Sequence, residues 1–445
     1  MKIPPRPPDI EKLFKASVAK DEGRIFGFMS PSSQVDERGR YLSWDELRFR
    51  KPPPGLSTEE WWAVTRLARR MASQKLPLAD SQDNVFGFYE PPMLKAALRD
   101  LDMNAGGALS SDVTALSSSD GQKYLTRSLA EEPFSSSLIE GAATTRQIAK
   151  KLIFGDRTPR TKDERMVWNN YRALEFVKSR KDDPLTLPVL LELHKLVTQD
   201  TLDDPADAGR VRATDDVRVI DDASGEILHQ PPAAAQLPDR LERLIRFANE
   251  SDGASHWIHP MVRAFLLHFL LSYEHPFVDG NGRVARALFY WSALRQGYWL
   301  VEYVSISSVI ADAEIQYGKA FLDVETDGAD TTYFLIYHAR ILKMALDRLL
   351  AFALRKREEL AAFEKRLADR RRPDAFNHRQ SWLLNEFARG RLAAVTIAEH
   401  ENRNAVSYLT ARSDLEALVA GRLLKKSKRG RTSIYSATGD LVKKL

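Results

Sequence analysis

Residues 275–286 read HPFVDGNGRVAR. They place an imidazole, a carboxylate, a Gly-Asn-Gly loop and two arginines within one loop and one helical turn. Such groups suit the binding of a nucleotide polyphosphate and the removal of a proton from an incoming hydroxyl. His275 has a side chain that titrates near neutrality and is a candidate general base. Asp279 offers hard oxygens to a Mg2+ ion that bridges phosphates. Gly280 and Gly282 permit backbone that side chains forbid, and let an anion approach the main chain. Arg283 and Arg286, three apart, share a helix face and both reach toward a polyphosphate.

Two helices must hold these groups. Residues 258–274 are apolar at helical spacing, with Phe265, Leu266, Phe269, Leu270 and Tyr273 forming a wide stripe. Pro276 lacks an N–H and disfavours helix in the residue before it, so His275 falls where helix gives way to loop. A second helix is expected from about 283 to 297. The free N–H groups at its start and its dipole favour an anion in the loop. Phe277 is expected to bury itself and fix the position of His275. An isolated histidine, a lone GNG turn or a pair of arginines is ordinarily structural; the three in this order and spacing point to a site.

The segment resembles the signature of Fic proteins, HxFx(D/E)GNGRxxR, at every specified position. The resemblance implies transfer of AMP from ATP to a Ser, Thr or Tyr hydroxyl of a target protein, which includes the enzyme itself. It implies His275 as general base and Asp279 as the Mg2+ ligand. Gly280, Asn281 and Gly282 would form the loop that binds nucleotide, with Asn281 and Gly282 as an anion hole for the α-phosphate. Arg283 and Arg286 would bind the β- and γ-phosphates. Tyr317, on a later helix, is placed by the resemblance near the nucleobase, while its setting suits a residue partly in the core. The signature reads phosphates rather than the base, so UMP or another phosphate-linked group is an alternative donor.

A second motif lies at 136–141, SSLIEG. Pro133 and the serines suit a helix start, Glu140 and Gly141 an end, and Thr144 or Thr145 a cap for a helix at 146–153. By composition alone Glu140 reads as a surface carboxylate. The resemblance reads it otherwise: Ser136, Glu140 and Gly141 match the (S/T)xxxE(G/N) pattern of Fic proteins with an inhibitory helix. There the Glu pairs with the second arginine of the signature, here Arg286. A carboxylate on Arg286 neutralises a γ-phosphate ligand and misplaces ATP for in-line attack. The same Glu placing a water would remove AMP from a modified target, so the direction of the reaction stays open.

The chain has 445 residues, 43% hydrophobic and 29% charged, with a formal net charge of +5. It has no cysteine, which excludes disulfides, thiolate catalysis and Cys-based metal sites. MKIPPRPPDI lacks the apolar core of a signal peptide, and the longest apolar stretch is too short to span a bilayer. A cytoplasmic protein with no membrane contact is expected. The expected fold is mainly α: a Fic-type helical core with a β-hairpin flap, a small N-terminal module before it and a winged helix-turn-helix-like domain after it. The division expected is 1–110 for the N-terminal module, 121–155 for the inhibitory helix segment, 156–355 for the core, 356–375 for a charged helical connector and 376–445 for the last domain.

Within this frame, Ser57 with Glu60 marks a capping box for a helix at 57–73, and 104–120, rich in Gly, Ser and Ala, reads as a linker. Core helices are expected near 163–180, 187–199, 236–250, 305–325 and 330–355. Val217, Val219, Ile227 and Leu228 flank Asp222–Gly225, a hairpin suited to docking a target segment by strand addition, or a purely structural one. In the last domain, helices at 378–387, 396–400 and 405–420, with Leu409, Leu415 and Leu418 inward, precede a basic hairpin. Arg422, Lys425, Lys426, Lys428, Arg429 and Arg431 have no acid among them, which suits phosphate backbone, while dimerisation or protein contact fits equally. Two classes of function follow: an autoinhibited Mg-ATP-dependent adenylyltransferase, or a DNA-binding regulator whose core senses nucleotide. A homodimer suits the resemblance.

Overall fold

Short polar signals decide where the helices begin. Ser57, Thr145, Thr161, Thr186 and Ser305 each accept a bond from a backbone N–H of the turn that follows, satisfying donors that a helix start leaves orphaned. A computed structural model describes residues 2–20, 33–106, 128–155, 157–221, 223–250, 257–369, 376–389, 391–429, 432–438 and 441. The chain divides into two units, residues 1–110 with 128–347, and residues 111–127 with 348–445.

The first unit opens with α1 (Ile10–Lys20), α2 (Trp44–Leu47), α3 (Thr58–Ala72), the antiparallel pair β1 (Gln74–Ala79) and β2 (Val85–Phe88), and α4 (Pro92–Leu101). It continues through α5 (Glu131–Ile139), α6 (Arg146–Ile153), α7 (Lys162–Ser179) and α8 (Leu187–Thr198). A small hairpin follows, β3 (Val219–Ile220) with β4 (Ile227–His229). Then come α9 (Leu237–Asn249), α10 (Pro260–Glu274), α11 (Asn281–Arg295), α12 (Ile306–Ala311), α13 (Glu314–Thr326) and the first part of α14 (Thr332–Asp369).

Helices α10 and α11 form the centre. Nearly every residue of both is buried, including Phe265, Leu266, Phe269, Val284, Leu288 and Phe289, the mark of core helices rather than surface ones. Helices α7 and α8 pack on α11, and α9 packs on α10. The loop between the two central helices, residues 275–280, is therefore held at both ends by the most buried elements of the molecule. The N-terminal region is bound in by α3. Arg66 Nε lies 2.8 Å from Asp327 Oδ1, and Arg69 donates to Tyr333 Oη (2.8 Å) while lying over the Tyr41 ring. These buried arginines grip the turn between α13 and α14.

Several expectations need correction. The helix foreseen at 305–325 is two, α12 and α13. The chain leaves helical backbone at Ala313 (φ −154°, ψ 55°), so each half buries its own stripe, Ile306, Val309 and Ile310 in one and Ala320, Leu322 and Val324 in the other. The helix at 330–355 and the start of the connector are one continuous α14 to Asp369, the connector's remainder, 370–375, lying outside the described residues. The stretch read as a linker begins instead with a π-helical turn, Asp102–Gly106, which buries Ala105; its remainder, 107–120, lies outside the described residues. Asp222 of the hairpin turn lies outside them too.

The second unit contains α15 (His378–Ala388), β5 (Val395–Thr396), α16 (Ile397–Asn404), α17 (Tyr408–Ala420), β6 (Leu424–Arg429) and β7 (Thr432–Ala437). The strands form an antiparallel sheet in the order β5-β7-β6. Leu383, Leu384, Phe387, Leu415, Leu418 and Tyr435 make its core. Buried Asp414 ties the elements together, accepting bonds from Asn377, Arg379 and His400. Leu409 is 74% exposed rather than inward. The buried stripe of α17 runs Ala411, Leu415, Leu418, and Leu409 lies on the far side of the helix from it. Arg431 lies outside the described residues. No helix among the described residues is long and apolar enough to cross a membrane.

Candidate active site

His275 stands at the C-terminus of α10 in left-handed backbone (φ 45°, ψ 56°). A non-glycine residue holds this conformation only where its surroundings enforce it. They do so here through Arg212, whose backbone N–H donates to Pro276 O (2.9 Å) and whose buried Nε donates to His275 O (3.0 Å). The His275 Nδ1 lies 3.2 Å from Ser272 O. A carbonyl only accepts, so Nδ1 carries the hydrogen and Nε2 keeps a lone pair. Burial, with the positive charges of His229 and Arg212 nearby, pulls the imidazole down to about 4 against the opposing pull of Ser272 O. It is neutral at pH 7, the protonation state a general base needs.

Phe277 is fully buried and stacks on the ring of His194, with centroids 3.8 Å apart and planes within 3°. His194 in turn accepts from Gly209 N–H at Nδ1 (2.9 Å) and so presents Nε2–H to Asp279 O (2.9 Å). Its burial brings it to about 4 as well. His194 holds the middle of the loop from beneath. Sequence reasoning missed it, because a histidine among Leu190, Leu193 and Val197 on an amphipathic helix carries no distinguishing signal. Arg212, in a loop, was missed for the same reason.

Gly280 begins α11 as its N-cap at φ 85°, and a Cβ there would stand 2.8 Å from Thr198 Cγ2. Only glycine satisfies both the backbone and the space. Asn281 spends its side chain on the loop: Phe277 N–H donates to its Oδ1 (2.9 Å) and its Nδ2 donates to Phe277 O (2.8 Å). Its buried amide thus shapes the loop, and leaves only main-chain groups there to donate to an anion. No side chain caps α11, so the N–H groups of Asn281, Gly282 and Arg283 remain available at its positive end.

The two arginines have unlike settings. Arg283 is buried, donating to Val197 O (3.0 Å) and Asp279 Oδ2 (3.1 Å). It therefore steadies Asp279, whose side chain is half exposed at the mouth of the loop. Arg286 lies deeper. Its Nε donates to Ser136 Oγ (2.9 Å) and its NH2 to Ser136 O (3.2 Å) and Glu140 Oε1 (2.8 Å). Burial works against its charge, but Glu140 beside it more than offsets this and keeps the guanidinium protonated.

Glu140 reaches further than that arginine. A Cβ added at Gly282 would meet Glu140 Oε1 at 2.5 Å. The carboxylate thus lies against the start of α11, where an anion is most favoured. Gly141 follows with φ 85°, ending the segment in a turn that side chains resist. Helix α5, which delivers Glu140, is bolted down by a residue the sequence did not single out. Buried Glu132 accepts from Ser305 Oγ (2.8 Å), Ser307 N–H (3.0 Å) and Ser307 Oγ (2.6 Å). Asn170 Nδ2 adds a bond to Ser137 Oγ (2.8 Å).

Tyr317 turns inward. Its hydroxyl lies 2.9 Å from His268 Nε2, and His268 Nδ1 lies 2.7 Å from His338 Nε2. The hairpin β3–β4 is anchored close to the 275–280 loop by His229, which contacts both Glu325 (2.9 Å) and Tyr273 O (2.8 Å). Burial opposes a charge on His229, yet Glu325 raises its affinity for the proton overall. Both of its nitrogens face acceptors, so it is held as an imidazolium. Among the described residues no three acidic or imidazole groups gather as a metal cage. A cation here would take one carboxylate from Asp279 and the rest of its ligands from phosphates and water, the habit of Mg2+.

Residues 184–293 match the Fic/DOC family model. A protein adenylyltransferase Fic of Nematostella vectensis is 34% identical over 129 residues, 28% of this chain and 27% of that protein. Protein adenylyltransferase fic-1 of Caenorhabditis elegans is 32% identical over 130 residues, 28% of this chain and 23% of that protein. The chain spans about a quarter of the length of these relatives. The crystal structure of a Fic family protein from Desulfovibrio desulfuricans G20 superposes with a TM-score of 0.50 at 18% identity, covering 78% of this chain and 96% of that one. That likeness shows a shared fold.

Proposed function

We propose that this chain, whose residues 184–293 match the Fic/DOC family model, transfers AMP from ATP to a hydroxyl side chain of a target protein. The observation that carries the reading is the neutral His275, its Nε2 lone pair unspent, at the start of the loop that leads into α11, whose N-terminus no side chain caps. His275 Nε2 takes the proton of the incoming hydroxyl. The hydroxyl oxygen then bonds to the α-phosphorus, the bond from that phosphorus to the bridging oxygen breaks, and pyrophosphate leaves with the electron pair. The main-chain N–H groups of residues 281–283 stabilise the charge that gathers on the α-phosphate oxygens. Asp279 is the residue that would hold a Mg2+ ion brought in with ATP, and that ion would neutralise phosphate charge.

In the resting chain Glu140 competes with this arrangement. Its carboxylate neutralises Arg286 and lies over Gly282. ATP binding beside it sets its terminal phosphates aside from Arg286, out of line for attack. The hairpin β3–β4, with Ile220 and Ile227 exposed, docks the target segment by strand addition. The 376–445 unit is a winged-helix-like module that engages a partner. Retention of label from ATP marked at the α-phosphate, and none from ATP marked at the γ-phosphate, tests the reaction; the opposite pattern would make the protein a kinase.

A further inference from the structure

The basic charge of the chain is concentrated at its end. Residues 376–445 contain 13 Lys and Arg against 6 Asp and Glu, whereas the whole chain has 66 against 61. Without this segment the chain would be slightly acidic. Four of these six acids are engaged within the segment. Asp414 is buried on Arg379, Glu386 pairs with Arg391, Glu399 caps α16 through Thr396, and Glu416 takes Lys426 and Tyr435. Arg412, Lys425 and Lys428 are exposed and, among the described residues, form no direct ion pair, although Glu416, one turn along α17, lies within the field of Arg412.

Geometry gathers this charge around one corner. Helices α16 and α17 are joined by residues 405–407, with Ala405 in left-handed backbone (φ 50°) and Ser407 capping α17. Two helices joined by a three-residue turn form a helix-turn-helix. Helix α17 buries Ala411, Leu415 and Leu418 and presents Tyr408, Leu409, Arg412 and Ser413 to solvent. Glu416, one turn beyond Arg412, meets Lys426 on β6 (2.5 Å). Lys428 is two residues along the same strand, hence on the same strand face. Counted from the 421–423 turn that joins α17 to β6, Arg412 on the helix and Lys428 on the strand both lie beyond the Glu416–Lys426 contact. The exposed start of α17 carries an apolar residue and a guanidinium, groups suited to base edges, and the neighbouring strand carries ammonium groups suited to phosphates.

We propose that this corner binds duplex DNA, with the first turns of α17 in the major groove and Lys428 on the phosphate backbone. The proposal is independent of the AMP-transfer reading. Its test is fluorescence anisotropy of a labelled mixed-sequence duplex with the full chain, between about 50 and 200 mM salt. Binding should weaken linearly on a log–log plot. The pair Arg412→Glu and Lys428→Glu should weaken it at least about tenfold and lower the salt slope by about 2, since each cation neutralises one phosphate. Arg412→Lys with Lys428→Arg should retain the slope. Unchanged thermal unfolding and AMP transfer in both pairs separate loss of binding from loss of fold. No anisotropy change at about 50 mM salt, or charge-reversed protein that binds like the parent, would overturn the proposal and leave the corner as a protein-docking face.

Discussion

Glu140 Oε1 lies 2.8 Å from Arg286 NH2, joining residues 146 positions apart in the chain across the start of α11, the helix proposed to bind the phosphates. The guanidinium is almost fully buried and the carboxylate one-fifth exposed. Two further bonds, donated by Arg286 to Ser136 Oγ and Ser136 O, orient the same guanidinium. The carboxylate does not cap α11 by a hydrogen bond, yet it lies against the one residue, Gly282, whose missing side chain leaves room for an anion. One acidic group thus occupies both places proposed for a nucleotide's phosphates.

Removing that group frees both. Glu140→Gly should raise AMP transfer by roughly 10- to 100-fold, the equivalent of one charge-assisted hydrogen bond of about 1.5–3 kcal/mol. The gain should appear in turnover more than in ATP affinity, because the pair misaligns phosphates rather than barring entry. Initial rates with labelled ATP at several concentrations check this. A rate equal to the parent's would show that the ion pair is structural only.

His275→Ala should lower transfer by about 10²–10⁴-fold, the usual worth of a positioned base, with nucleotide affinity little changed. The acid limb of the parent's rate profile should fall near pH 4 instead of 6.5, since burial holds His275 at about 4. Neutral imidazole is the active form, so activity is lost as pH drops through that value. A midpoint near 6.5 in the Glu140→Gly background would contradict the environment described for this residue.

The loop depends on the pair beneath it. Phe277→Ala should cost about 3–5 kcal/mol by emptying a fully buried ring site. His194→Phe keeps the stack but loses the bonds to Gly209 N and Asp279 O. It should lower turnover several-fold at a smaller cost in unfolding temperature. Equal loss of stability in both variants would show that His194 serves packing alone.

Acid should weaken the fold before it protonates the buried histidines. His268 and His338 are bonded to each other within the core, and burial brings His338 to about 3 and His268 well below its usual value. Between pH 6.5 and 4 the unfolded chain takes up protons at these sites and at His275 that the folded chain refuses. Stability therefore rises with pH over that window and is lost as pH falls. His229 works in the opposite sense, its stabilisation full at low pH and lost as pH rises through its raised value. Unfolding curves at pH 7 and 5 should show the loss, and His268→Phe with His338→Phe should flatten the slope.

The central helices and their loop were legible because few arrangements satisfy a long apolar stripe, a helix-ending His-Pro and a Gly-Asn-Gly turn. The cap at Thr145 and the helix at 146–153 follow from a local rule and appear as expected. The division of 305–325 was not legible, because helical periodicity runs through Asp312 and only tertiary packing shows that each half faces its own neighbours. His194, Arg212, Glu132 and His229 escaped for a related reason. Each acts by binding a group far off in the chain, Glu132 on Ser305 and Ser307 and His229 on Glu325, and no spacing announces such a partner. The side chains of Asn281 and Arg283 showed what kind of groups they are, but only the structure shows that they are spent on Phe277, Val197 and Asp279.

The most direct measurement is the intact mass of the purified protein after incubation with Mg2+ and ATP, taken in parallel for the parent, Glu140→Gly and His275→Ala in the Glu140→Gly background. The account predicts the added mass of an adenylyl group in Glu140→Gly, little in the parent, and none once His275 is removed. An adduct that persists without His275, or equal modification of parent and Glu140→Gly, would contradict it.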